Sequence, residues 1–163
     1  MIPVTAPQTK PGSDPSPQPG SKKLSNFLCF AVYSANLAFG RAYKPIMDAL
    51  GLTYTQYIAM VALSEEDDQT VGALGERLFL ESNTLTPILK KLEQTGYIQR
   101  KRDPADERQV RVSLTPAGRS VLETDPGASL IGATGLGDDF FVVQQAVARL
   151  RDNLLAATQR DKA

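Results

Sequence analysis

The sequence predicts a mainly α-helical domain carrying one small β-hairpin, and three observations lead there. Leu85, Ile88, Leu89 and Leu92 recur at i, i+3, i+4 and i+7, one face of a 3.6-residue helical period. Val110, Val112 and Leu114 alternate with Gln109, Arg111 and Ser113, the period-two pattern of a half-buried strand. Phe140, Val143, Val147, Leu150 and Leu154 are spaced by alternating threes and fours, the seam of a helix pair.

Composition narrows the function before any motif is read. At 163 residues the chain has length for one domain, and 42% hydrophobic residues can fill its core. No run of about 18 apolar residues is present to span a membrane, and the N-terminus lacks the apolar core of a secretion signal. A cytoplasmic protein is therefore expected. With no histidine, triads and metal sites built on imidazole are excluded. A single cysteine excludes an intramolecular disulfide and a multi-cysteine metal cluster. No glycine-rich phosphate loop stands out. The expectation is no cofactor, no metal and no enzyme.

In chain order, residues 1–23 hold six of the eleven prolines and little apolar content to offset ordering entropy, so they read as a disordered tail. Residues 24–163 then form one domain. Its first helix is expected from near Leu24, capped by Ser25 or Asn26, to Tyr43 or Lys44, stopping before Pro45. From Phe27 to Tyr33 every residue is apolar or aromatic, so this helix must be buried, and in so small a domain that suggests a second subunit. Ile46 to Leu50 adds a turn ended by Gly51. Thr53 or Thr55 starts a helix that stops at the acidic run Ser64–Asp68, and Thr70 caps a short helix over Val71–Leu78.

The turn Phe79–Glu81 leads into the central stretch. Ser82 is the expected cap of the leucine-striped helix and Gly96 its left-handed terminator. Pro87 is tolerated only near a first turn, which pushes the predicted start to Asn83 or Thr84. Opposite the leucines lie Asn83, Thr84, Thr86, Lys90 and Lys91, short hydrogen-bonding groups and cations suited to base edges and phosphates. Tyr97–Arg102 and Arg108–Leu114 pair as a hairpin with Asp103–Glu107 at its tip. A helix followed directly by a basic hairpin is the winged helix-turn-helix plan, with the helix in the major groove and the wing at a neighbouring minor groove. Residues 82–119 carry eight Lys or Arg against four acids, net +4 in a neutral chain. That segregation favours DNA over an ordinary solvated face.

Thr115-Pro116 is a strong helix start, with the helix running to about Thr124, where Asp125-Pro126-Gly127 interrupts it. The last helix is expected from Asp138 to about Gln159. Residues 24–50 and 116–160 together read as a dimerisation module, and 53–114 as the DNA-binding lobe. A symmetric homodimer would present two helices to two half-sites of a pseudo-palindromic operator in double-stranded DNA.

Cys29 lies in the first turn of the first helix, where amide groups favour an anionic thiolate. Packing as a small hydrophobe beside Phe27, Leu28 and Phe30 is the plainer role. The order of elements around ESNTLTPILKKLEQTGYIQRKRDPADERQVRVSLTPAGR resembles the MarR family of dimeric winged-helix regulators. Within it, LCFAVYSANLAF, AYKP, LTYTQY and LTPILKKLE are similar to the organic-hydroperoxide sensors of the OhrR type. The resemblance covers about Leu24 to Asn153. It implies a repressor in which Cys29 is the peroxidatic thiol and Tyr43 and Tyr54 of the other subunit donate hydroxyl hydrogen bonds to its thiolate. Beside the DNA-facing set Ser82, Asn83, Thr84, Thr86, Pro87, Lys90 and Lys91 expected on the leucine-striped helix, it implies that Asp106 orients Arg108 into the minor groove. A branch of these sensors has a second cysteine; this chain lacks one, which implies the one-cysteine kind. Oxidised Cys29 must then persist as a sulfenic acid, cyclise onto a backbone nitrogen or be captured by a small external thiol, and capture is the outcome expected. Two rivals stand beside this reading: a MarR-type repressor released by a small phenolic ligand, with Cys29 structural, and a thiol-dependent peroxide reductase.

Overall fold

The computed structural model describes residues 23–124 and 126–160. The tail expected over residues 1–23 therefore lies outside the described residues except at Lys23, and so does Asp125 of the Asp-Pro-Gly interruption. Two compact units divide the chain, one ending at Leu37 and one beginning at Ala38.

A 3₁₀ turn over Leu24–Asn26 precedes α1 (Leu28–Leu50), whose first ten residues belong to the first unit and whose remainder belongs to the second. The helix proper thus starts four residues later than the sequence suggested, because Lys23 and Leu24 carbonyls take the Asn26 and Phe27 amides at 2.9 and 3.1 Å. It also runs through Pro45 instead of stopping before it. Proline there deletes only the hydrogen bond to the Arg41 carbonyl, and Arg41 and Pro45 both face solvent. Burial of Met47 two residues on offsets the loss. Gly51, at φ +66°, ends α1.

The second unit holds the core. After α1 come α2 (Tyr54–Glu65), β1 (Gln69–Thr70), α3 (Val71–Leu78), α4 (Ser82–Gln94), β2 (Ile98–Arg102) and β3 (Val110–Leu114). Then follow α5 (Pro116–Glu123), α6 (Gly127–Gly132), a 3₁₀ turn Gly137–Asp139 and α7 (Phe140–Arg160). Thr53 caps α2 in a capping box with Gln56, and Thr70 and Thr115 accept from the Ala73 and Gly118 amides. Ser82 does not cap α4: Glu81 holds that position without a side-chain bond, and the helix starts at Ser82. Pro87 therefore sits well inside α4. Leu85, Leu89 and Leu92 explain why the helix survives it, since all three are fully buried against Met60, Leu63 and Leu74.

The sheet has order β1-β3-β2, both pairs antiparallel, with Gln69 opposite Val112 and Ile98 opposite Leu114. The sequence reading missed β1, whose two residues carry no periodicity. The hairpin strands are each a residue or two shorter than expected. The fold is mainly helical with a small three-stranded antiparallel wing, a winged helix-turn-helix.

Outside this core the apolar surface is open. Phe27, Leu28, Phe30 and Tyr33 of the first unit are exposed in the single chain, which is the surface the sequence assigned to a second subunit. So are Val143, Val147 and Leu154 on the predicted seam of α7. No single helix among the described residues is long and apolar enough to cross a membrane.

One close approach locks the wing to the helices. A Cβ on Gly118 would lie 2.1 Å from the Tyr97 carbonyl oxygen. That oxygen already accepts from the Thr115 amide at 3.0 Å, and the Thr115 hydroxyl donates to the Gly96 carbonyl at 2.6 Å. Gly118→Ala is expected to cost about 2–3 kcal/mol by overpacking. A urea-denaturation midpoint matching wild type would show that the α5 start can move away from Tyr97.

Candidate nucleic-acid interface and cysteine site

The leucine stripe of α4 determines what the rest of the helix shows. With Leu85, Leu89 and Leu92 inward, Ser82, Asn83, Thr84, Pro87, Lys90 and Lys91 are exposed, and Thr86 is half-buried. The Thr86 hydroxyl donates to the Ser82 carbonyl at 2.6 Å, and that of Thr84 to Asn83 Oδ1 at 3.3 Å. These polar groups line the face that the periodicity assigned to DNA.

The wing is braced by carboxylates. At its tip Asp106 Oδ1 accepts from the Arg108 amide at 3.1 Å and from Arg108 Nε at 3.3 Å, while Gln109 Nε2 donates to Asp106 Oδ2 at 3.2 Å. The hydrogen bond from Gln109, then that from the Arg108 amide, hold the Asp106 carboxyl below its ordinary pKa. Arg108 itself is 94% exposed, oriented at its base yet free to reach a groove. The sequence brought Asp106 and Arg108 together on motif alone, and they are in contact.

Three of the eight cations counted toward the basic stretch are spent internally. Arg100 forks onto Glu93 of α4, with Nε 2.9 Å from Oε2, and lowers the Glu93 pKa. Arg111 bonds Asp68 and Asp103, and Arg119 pairs with Asp67. Two of these acids lie outside residues 82–119, so counting charge along the chain overstated the basic face. Exposed cations remain at Lys90, Lys91, Lys101, Arg102 and Arg108.

Cys29 is the second residue of α1 and is exposed in the single chain. In the second unit the structure brings Tyr43 and Tyr54 together, rings 5.6 Å apart between centroids, with Phe39 5.4 Å from Tyr43. The Tyr43 hydroxyl donates to the Leu130 carbonyl at 3.2 Å. Desolvation, then the neighbouring Tyr54, raises the Tyr43 pKa, so it stays a protonated donor. Both rings line an open cavity of about 220 Å³ with Gly40, Met47 and Leu52. Among the described residues, no group of three or more His, Cys, Asp or Glu side chains is placed to hold a metal.

Comparison with known proteins fits this geometry. The family model for the transcriptional regulators SarA/Rot matches residues 41–124, from within α1 to just past the end of α5. The chain belongs to this family of MarR-like winged-helix transcriptional regulators. It is 42% identical over 135 residues to the organic hydroperoxide resistance transcriptional regulator of Bacillus subtilis (strain 168), spanning 81% of this chain and 92% of that one. Reduced AbfR of Staphylococcus epidermidis bound to DNA is 32% identical at a TM-score of 0.67, covering 83% of this chain and 96% of its own. Overoxidised AbfR bound to DNA is 34% identical at 0.63, covering 81% and 94%.

For a regulator of this family the two faces of α4 separate by mutation. Leu89→Ala should lower stability by about 2–5 kcal/mol through a core cavity, whereas Lys90→Ala should leave the melting temperature within a degree or two and weaken DNA binding. The reverse pattern in melting and mobility-shift assays would mean the helix is rotated. Arg108→Ala should weaken binding on the order of tenfold and flatten any preference for a narrow minor groove. Unchanged affinity for A-tract duplexes would remove the wing from the interface.

Proposed function

We infer that the chain is a homodimeric, cytoplasmic transcriptional repressor that binds a pseudo-palindromic operator and leaves it when an organic hydroperoxide oxidises Cys29. The observation that carries this reading is one exposed cysteine at the start of an apolar helix in a chain of the winged-helix regulator family. The name and near full-length match of the B. subtilis relative support the class of oxidant. Residues 24–50 and 116–160 supply the dimerisation helices, and 53–114 the DNA lobe. Exposed apolar side chains on α1 and α7 support that division. Ser82, Asn83, Thr84, Thr86, Pro87, Lys90 and Lys91 read the major groove, and Asp106 sets Arg108 toward the minor groove.

In the dimer, the Tyr54 hydroxyl of one subunit faces the Cys29 thiolate of the other, and the Tyr43 hydroxyl joins it by exchanging its hydrogen bond to the Leu130 carbonyl for one to the thiolate. Phenol donors offset thiolate desolvation while leaving an apolar wall for an alkyl peroxide. The thiolate attacks the peroxide; an S–O bond forms and the O–O bond breaks. Sulfur is oxidised to the sulfenic acid, and the peroxide leaves as an alcohol after taking a proton. With one cysteine in the chain, no intramolecular disulfide can close. A small external thiol instead attacks the sulfenic sulfur, forming a mixed disulfide and releasing water. That bulk at a packed helix start drives the subunits' reading helices out of register with the half-sites.

The test uses a duplex that the wild-type chain selects from a random pool. An organic hydroperoxide plus a small thiol should release it, add one thiol mass per subunit, give no covalent dimer on non-reducing gels, and be reversed by dithiothreitol. Cys29→Ser should bind the duplex and ignore the oxidant. Normal peroxide-driven release from Cys29→Ser would falsify the sensor reading and favour release by a phenolic ligand.

A further inference from the structure

The acidic run after α2 has a use that its sequence position hides. Asp68 adopts the left-handed conformation at φ +55°, a strained state for a residue with a Cβ, and one that surrounding contacts must hold. Those contacts come from β3, more than forty positions on. Arg111 Nε lies 3.0 Å from Asp68 Oδ2, the guanidinium also donates to the Asp68 carbonyl, and the Ser113 hydroxyl donates to Asp68 Oδ1 at 3.3 Å. The same guanidinium reaches the other way, with Nη1 3.1 Å from Asp103 Oδ2. Asp103 is the first residue of the wing tip. Its amide donates to the Gln109 carbonyl at 3.0 Å and its Oδ1 accepts from the Ala105 amide at 2.8 Å.

Arg111 therefore joins a fixed corner of the helical core to the tip that carries Arg108. Its three-way grip has a charge consequence. One guanidinium between two carboxylates makes a cluster of formal charge −1, which repels a phosphate, and a phosphate would have to displace hydrogen bonds already made on both sides. The Asp103 side chain is only 13% exposed, so that displacement would strand a partly buried carboxylate.

We propose that Arg111 is a positioning residue for operator binding: clamped between Asp68 and Asp103, it sets the pose of the wing against α4 and makes no contact with DNA phosphate. The proposal rests on the DNA-binding reading above and assigns the acidic run after α2 a part in operator recognition. The lowered Asp103 and raised Arg111 pKa values agree with a clamp that is fully charged at neutral pH.

The experiment compares wild type, Asp68→Asn and Arg111→Gln on the duplex selected by the wild-type chain and on a scrambled duplex, across a salt series. Folding of each variant is followed by circular dichroism. Asp68→Asn adds one positive unit to the chain, so charge alone would tighten binding to both duplexes. The clamp requires the opposite: about tenfold weaker binding to the selected duplex, with scrambled binding held or raised and the salt slope unchanged. Arg111→Gln should likewise weaken selected binding with the slope intact. A slope reduced by about 0.9 for each arginine lost would make Arg111 a phosphate contact and overturn the proposal. So would Asp68→Asn binding the selected duplex as tightly as wild type, or equal weakening on both duplexes. If Arg111→Gln fails to fold, Asp68→Asn decides alone. A wild-type chain that enriches no duplex refutes the DNA-binding reading itself.

Discussion

The winged helix-turn-helix depends on the burial of one stripe of side chains. Leu85, Leu89 and Leu92 on α4 are fully buried, and each contributes about 1.5–3 kcal/mol by leaving water. Pro87 in the same helix removes a hydrogen bond at a cost of about 3 kcal/mol. Three leucines outweigh one proline, so the helix persists and its rotation is set. Turning α4 by one residue would move the stripe through about 100° and expose a leucine. The polar face of α4 consequently has no freedom to choose its direction. What it offers to DNA is decided by what its opposite face buries.

Charge plays a different part. The ion pairs around the wing are partly exposed, and such pairs contribute at most about 1 kcal/mol each. They cannot account for the stability of the lobe beside its buried leucines. Their effect is geometric: Glu93 and Arg100 tie the end of α4 to β2, and Asp67 receives both the Leu114 amide at 2.9 Å and Arg119. Each pair neutralises a cation that would otherwise add to the outward positive charge. The outward charge that remains sits on α4 and around the wing tip, two places separated by the arginines that hold them in relation.

How much of this was legible in the sequence follows from the range of each interaction. The face of α4, the caps at Thr53, Thr70 and Thr115 and the hairpin were readable because each joins residues a few positions apart, while the Asp106–Arg108 contact came from the resemblance. The helix boundaries at Pro45 and Ser82 were misjudged for one reason: local rules treat proline as decisive, and tertiary burial overrode it at Pro45 and at Pro87 alike. Strand β1 and the pairing of Asp67 and Asp68 with β3 left no trace, since two residues hold no period and carboxylates of a surface loop look solvated until the chain folds back. The cysteine was legible as a residue type and by resemblance. Its surroundings were not, because a single chain leaves Cys29 exposed.

That exposure bears on how a redox signal could reach DNA at all. An adduct on a solvent-facing thiol displaces only water, and water exerts no restoring force on a helix. Coupling requires that the oxidised sulfur be packed against something that also positions α4. The single chain has the raw material for such packing in the exposed Phe27, Leu28 and Phe30 beside Cys29, and in the apolar seam of α7. Burying those side chains between two copies would stabilise the dimer by roughly 25 cal/mol per Å² removed from water. It would also place the thiol in an interface where added volume has to be accommodated by movement. On the homodimer reading, assembly and sensing are then one property of the same surface. Apolar area sufficient to hold the subunits together is what makes a single oxygen or a small thiol at Cys29 large enough to matter.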